Sequence, residues 1–559
     1  MLGWPAAQWY SARHLPLSLL NLCQNSFMAG RRTLLVGLDG FDVDLAERFA
    51  REGLLPNFTR LQTQGAGFDL DHGRDKYSGL AWEHLSSGVR PSDGGRWSAI
   101  TFDKRAYQAT QDHTRVRPFL TDLAAKTVIF DFPYFDLSLA PHVRGITAWG
   151  AHDPGVDPAS RPSGLHQEIS ARFGEYPAPE WIYGFCWPSP QKAQAAGEAL
   201  TRAVEVRSRA SRWLLNERLP DWDLGVVVIS ECHSATEPLW HGVDENHPLH
   251  ALESAVPAAA ALRKVYAAVD HLIGDLHKTF ADAIVVLVAM HGMGPNDSDV
   301  PAMVLLPELL YRFAFGSPYI RQVEFPGTLP DGTPVLAEDT HWGAALLQAV
   351  PQFKPGLYER AMRRIKGLAS GRSPVATSAD ISWMPGARYS HFWPKMAAFA
   401  LPSYYDGRVR LNIVGREKRG IVPAAEYINV CRQISELVGE CRNLRTGKRV
   451  ASEIYFPKQS PHEVGPSEAD VYIVWEGAPL GLSHPRFGRI GPLPYFRTGG
   501  HTGKRGFLNV VGSDIPNGHH GLVSSFDVAP TIIELLGRSR PPGVSGKSLL
   551  PEFASVRSR

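Results

Sequence analysis

A chain of 559 residues is long enough for a large core, built as one big domain with insertions or as two domains. A formal net charge of +2 excludes the concentrated basic field of a general nucleic-acid-binding surface. No apolar run has bilayer-spanning length, and five widely spaced cysteines form no disulfide or zinc-ribbon framework, which points to a reducing compartment and a cytoplasmic protein.

In chain order, residues 1–32 read as a weakly structured extension rather than a signal peptide, because the apolar stretch at 15–22 is short and broken by Pro16. The first buried strand covers 33–38 and ends at Asp39. A helix follows over 44–53, with Leu45 and Phe49 at helical spacing and Gly53 and Pro56 as its stop. A short helix is predicted over 82–87, ended by Gly88, and a strand over 126–131. Two long helices are predicted over 190–216 and 257–280. Between and after them lie apolar strands at 224–230 and 283–289. This alternation predicts an α/β fold with a mainly parallel sheet flanked by helices. Residues 315–385 are Gly/Pro-rich and weakly periodic, and 388–470 read as short strands with polar turns. We therefore expect a catalytic core of 33–340 and 490–551, with 341–489 as an inserted cap. The tail returns to a strand at 507–511 and a capped helix over 525–537.

In an open α/β sheet, ligands bind outside the carboxyl ends of the strands. Asp39, then Glu231, His233 and Glu237, then Met290 and His291 all follow strands directly. Asp39 reads either as a turn aspartate or as a metal ligand beside Gly40. Ser78 precedes the 82–87 helix and reads either as an N-cap or as a nucleophile activated by a metal. His233 and Glu237 stand four apart, as two ligands on one helical face do, and His241 continues the row. Cys232 between them reads as a buried spacer thiol. His501 lies in a glycine-flanked loop before the last strand. Asp39, His233, Glu237, His291 and His501 together offer a nitrogen/oxygen shell that suits Zn²⁺, or Mn²⁺ in octahedral geometry.

The order and spacing of these blocks resemble the alkaline phosphatase superfamily, and within it the type I phosphodiesterase/nucleotide pyrophosphatase group. Val36-Gly-Leu-Asp-Gly40 resembles the first metal block, and Ser78, ten residues ahead of Gly88, the nucleophile block. The run from Ser230 to His241, then Ala289-Met-His-Gly-Met293, Gly500-His501 and Asp527-Val-Ala-Pro-Thr531 resemble the later blocks. The resemblance implies an alkaline-phosphatase-like sandwich and one or two divalent ions held by Asp39, Ser78, His233, Glu237, His291 and His501. It also implies hydrolysis of a small phosphate ester through a covalent phospho-Ser78, with no nucleic-acid polymer or membrane as partner. Two positions depart from the pattern. His233 and Glu237 stand where the family has Asp and His, and Met290 stands where it has Asp. A thioether is a poor ligand for a hard dication. Glu83, Glu231, Asp297 and Asp299 are candidate replacements. Three alternatives stay open: a phosphomonoesterase; a sulfatase-like esterase, although Ser78-Gly-Leu-Ala-Trp82 lacks the formylglycine motif; and a non-catalytic binding member. The stretch from Trp149 to Asp153 reads as a structural turn or as part of the pocket wall.

Overall fold

The computed structural model describes residues 31–112, 116–152, 157–183, 189–337, 340, 342–351, 378–379, 381–495 and 497–556. Residues 1–30 of the predicted extension and Asp153 lie outside them. The central sheet is made, in chain order, of β1 (Thr33–Leu38), β2 (Ala66–Asp71), β3 (Thr127–Phe130), β4 (Arg144–Thr147), β5 (Ala159–Arg161), β6 (Leu224–Ile229), β7 (Ile284–Ala289), β8 (Gly506–Val511) and β9 (Gly518–Ser524). Their spatial order is β9-β2-β8-β7-β1-β6-β3-β4-β5. The β7-β1-β6-β3-β4 run is parallel, and β8 and β5 enter antiparallel.

β1, β6 and β7 are buried at every position, as strands covered on both faces must be. Their side chains alternate between two cores. Leu34, Val36 and Leu38 pack with Val227, Ile229 and Leu287 on one face, under the long helices α3 (Pro190–Trp213) and α5 (Ala255–Thr279). Leu35, Val226, Val228 and Val286 face the other core, under α2 (Ala81–Ser87) and α6 (Val528–Leu535). The remaining helices near the strand ends are α1 (Val43–Arg51) and α4 (Glu231–Leu239). A third core joins Ile100, Phe102 and Val300–Leu310 to a four-stranded antiparallel sheet of Ala398–Leu401, Gly407–Leu411, Val471–Trp475 and Ala451–Tyr455. Three of its strands fall within the 388–470 segment predicted to hold short strands, and Val471–Trp475 follows directly after it.

α1 starts where the sequence places it, because the Asp42 side chain accepts the Leu45 N–H at 2.8 Å. Burial raises the Asp42 carboxyl from 3.8 to about 7. Between those values the folded chain holds a proton that the unfolded chain releases, so this group's contribution to stability falls as pH rises through that window. In urea titrations across that window, Asp42→Asn should keep the cap and flatten the pH slope.

α3 carries a fully buried Arg207 to the back of the strand ends. Its guanidinium donates to both Glu231 oxygens at 3.0 Å, and to Asp131 Oδ2 and the Val228 carbonyl at 2.9 Å. Asp131 in turn accepts the Trp149 N–H at 2.8 Å, which fixes the stretch after β4. Glu231 is thus committed to a structural ion cluster and does not replace the carboxylate missing at Met290. Removing the cation leaves two carboxylates buried and uncompensated. Arg207→Ala should therefore cost about 3–5 kcal/mol in urea-unfolding stability.

Candidate active site

The registers of the three central strands set the site. Leu38 pairs with Ile229, and Gly37 lies between Val228 and Val288, so β6, β1 and β7 end level. The residues after them, Asp39, the first turn of α4, and Met290-His291, emerge on one rim. Asp39 and His233 meet there, with Oδ2 to Nδ1 at 2.9 Å. Gly40 permits the approach. Its φ is +63°, and a Cβ would lie 2.4 Å from the His233 Cα. Gly40→Ala should push α4 off the end of β1. We expect a loss of about 1–3 kcal/mol in thermal unfolding from the left-handed backbone and the clash, and phosphoester turnover falling about tenfold or more.

Above this rim is a cavity of about 640 Å³, floored by Asp39, His152, His233, His291, Arg497 and His501. Its walls are aromatic and come from Tyr134, Tyr183, Trp342, Trp383, Tyr404 and Tyr405. The predicted residues converge on it as follows. The ring of His233 lies 4.6 Å from that of His501, and His501 lies 5.9 Å from His291. Glu237 stands behind His233, with Oε1 3.3 Å from Nε2. The loops bearing His291 and His501 are tied together by antiparallel pairing of Gly294 with Gly500. The second loop is also tied to α4, where the Thr498 N–H donates to the Glu237 carbonyl at 2.8 Å.

Three placements differ from expectation. Ser78 does not cap a helix; it ends a 3₁₀ turn, Gly73–Ser78, and its buried hydroxyl accepts the Leu80 N–H at 3.1 Å. From that turn it is Gly79 that lines the cavity. His241 does not continue the row, because α4 gives way to a 3₁₀ turn at Trp240–Gly242, which turns its Nε2 toward Ser254 Oγ at 3.0 Å. The carboxylates offered as replacements at Met290 are engaged elsewhere. Glu83 binds Arg96 at 2.6 Å, Asp297 accepts the Ala478 N–H at 2.7 Å, and Asp299 binds Arg497 at 2.6 Å.

Sequence reasoning gave His152 little weight and missed Arg497. His152 Nδ1 lies 2.8 Å from His233 Nε2. Arg497 is buried, clamped by Asp299, and paired with Glu237. Burial lowers it to about 9, so it remains cationic at neutral pH. Its position four residues before His501, in the same loop, was the available signal. The Trp82 indole N–H was also missed; it donates to Asp39 Oδ1 at 2.7 Å. A second imidazole group lies behind His291, where His72 Nε2 is 3.0 Å from His84 Nδ1. Burial holds three imidazoles of the floor, those of His152, His291 and His501, neutral. His291 is lowered to about 4, and His152 and His501 fall well below the usual histidine value, with burial first and neighbouring positive groups second. Both ring nitrogens of His291 and Nδ1 of His501 are buried without a hydrogen-bond partner among the described residues. Neutral imidazoles with open lone pairs are what a metal or a proton transfer requires.

The sequence matches the type I phosphodiesterase/nucleotide pyrophosphatase family over residues 33–322, more than half of the chain. The chain belongs to this family. It is accordingly a phosphoric ester hydrolase. No curated protein matches this sequence. Similar solved structures include a phosphonoacetate hydrolase from Sinorhizobium meliloti 1021 bound to phosphonoformate, with 13% identity over 91% of this chain and 95% of that one and a TM-score of 0.43. An inactive variant of murine ectonucleotide pyrophosphatase/phosphodiesterase 5 with AMP has 10% identity over 94% and 99%, and a TM-score of 0.44. A mutant of the alkaline phosphatase PafA has 12% identity over 93% and 99%, and a TM-score of 0.44. Family membership rests on the sequence match.

Proposed function

We propose that this phosphodiesterase-family chain hydrolyses a small phosphodiester in the aromatic-walled cavity, with Ser78 as nucleophile and a divalent cation, Zn²⁺ or Mn²⁺, at the histidine cluster. The observation that carries the reading is the convergence of Asp39, His233, His291, His501 and Arg497 on one cavity floor. Residues 341–489 act in this reading as a cap, contributing Trp342, Trp383, Tyr404 and Tyr405 to the walls around the ester's organic group. The protein works in the cytoplasm in this reading, in keeping with the buried free thiols of Cys232, Cys431 and Cys441. No helix among the described residues is long and apolar enough to cross a membrane.

The donors fit one cation better than two. His152, His233 and Glu237 offer ligand atoms within 4.8 Å of one another. The position implied for a second ion has Met290 in place of a carboxylate, and both Asp39 oxygens already accept hydrogen bonds. A bound cation would supply positive charge for the phosphoryl oxygens and favour the Ser78 alkoxide. The chain's own groups do the rest. The aromatic walls bind the organic part of the ester and exclude water. Arg497, held by Asp299 and Glu237, lines the cavity floor and offers N–H groups to the phosphoryl oxygens. The Ser78 hydroxyl attacks phosphorus; its Oγ–P bond forms as the bond to the leaving oxygen breaks. A neutral imidazole of the floor takes the serine proton and returns one to the leaving group. Water then cleaves the phospho-serine and restores Ser78.

A second reading is favoured by Met290 and by the satisfied Asp39: a family member that binds phosphate esters without turning them over. Bis-p-nitrophenyl phosphate separates the two. Turnover should fall by about 100-fold or more in Ser78→Ala and on chelation, with activity restored by Zn²⁺ or Mn²⁺. Full activity in Ser78→Ala refutes the nucleophile, and binding without turnover in the wild type supports the second reading.

A further inference from the structure

The geometry points to a single-cation site formed by His152, His233 and Glu237, with Asp39 outside the coordination sphere; this rests on the metal-dependent reading above. Asp39 is engaged on both oxygens, by the Trp82 indole N–H at 2.7 Å and by His233 Nδ1 at 2.9 Å. A carboxylate only accepts, so Nδ1 carries the proton and His233 Nε2 presents a lone pair. That lone pair faces His152 Nδ1 at 2.8 Å and Glu237 Oε1 at 3.3 Å. Without an ion, the His152 Nδ1–H can donate to that lone pair and Arg497 balances Glu237; in the other tautomer His152 Nδ1 turns a second lone pair to the same point, where a cation replaces the shared proton. Two imidazole nitrogens and one carboxylate oxygen are a donor set of catalytic zinc, which keeps a fourth position open for substrate. His501, whose buried Nδ1 has no hydrogen-bond partner among the described residues, borders the cluster.

The surroundings hold each ligand in place. Asp39 orients His233 as a carboxylate orients a metal-bound imidazole. Arg497, itself clamped by Asp299, holds the Glu237 side chain, and the Thr498 N–H and hydroxyl hold its carbonyl at 2.8 and 3.0 Å. Tyr183 packs on His152, with ring centroids 4.5 Å apart. His152 comes from the stretch after β4, outside every block that carries the family resemblance.

The test is metal binding by the full-length protein, stripped with a chelator and retitrated with Co²⁺ and Zn²⁺. Elemental analysis and calorimetry should give one ion per chain. His152→Ala should weaken binding about tenfold or more, and Asp39→Asn, acting through His233, by about 10- to 100-fold. With Co²⁺, His152→Cys should show a thiolate-to-cobalt charge-transfer band that the wild type lacks, a signal that loss of stability alone cannot produce. Two ions per chain overturn the single-cation site. If His233→Ala abolishes binding while His152→Ala binds like the wild type and His152→Cys shows no band, the ligand assignment falls and metal dependence survives. If the wild type binds no ion, the metal-dependent reading falls, and this inference with it.

Discussion

The contact between Asp39 and His233 is the interaction on which the site depends. It joins the ends of two adjacent parallel strands at 2.9 Å, and it exists only because β1 and β6 stop at the same level. β7 stops there too and brings Met290 and His291 to the same edge. The level ending follows from burial. Strands packed on both faces cannot slip by one residue without moving every side chain into the wrong core. Leu34, Val36 and Leu38 belong to one core and Leu35 to the other, so the hydrophobic cores fix the register, and the register fixes the chemistry.

The parts of the fold legible in the sequence are those where one physical rule dominates. Unbroken apolar runs marked β1, β6 and β7, and helical periodicity marked α3 and α5, within a few residues of their observed ends. That Asp39 and His233 reach one rim was expected from strand ends, whereas their direct hydrogen bond was not. The place of His152 did not follow from strand ends, because it depends on backbone geometry that spacing cannot reveal. Ala148, just before it, has φ +55°, and Asp131, which anchors the next residue, has φ +62°. Arg497 escaped notice for a different reason. An arginine in a loop reads as solvated, and only burial against Asp299 and Glu237 makes it part of the floor. The expected row of ligands through His241 failed because α4 is one turn too short to carry it.

The floor is also an exchange of charges. Relative to the pattern the family resemblance implies, Met290 removes a carboxylate, and Arg497 stands against Glu237 as a fixed cation that cannot leave with the product. A guanidinium offers planar, directed donors at constant charge, whereas an ion offers an open coordination position. In the proposed site Glu237 is the one acidic ligand, and it stands behind His233, away from the cavity lining. The structure thereby lowers the negative charge that a second dication would need.

Burial makes this arrangement workable. An imidazole that protonated at neutral pH would repel both a cation and Arg497. Enclosure among aromatic rings and strand ends holds His152, His291 and His501 neutral, so their lone pairs face the cavity instead of being spent on protons. Tyr405 lies 4.2 Å from His501, centroid to centroid, and also covers Gly79, where a Cβ would come within 2.9 Å of its ring. One aromatic side chain therefore both desolvates an imidazole and roofs the turn that ends in Ser78. The same wall that would grip the organic part of a substrate sets the protonation state of the groups beneath it, so substrate binding and acid–base chemistry are coupled through a single packed surface.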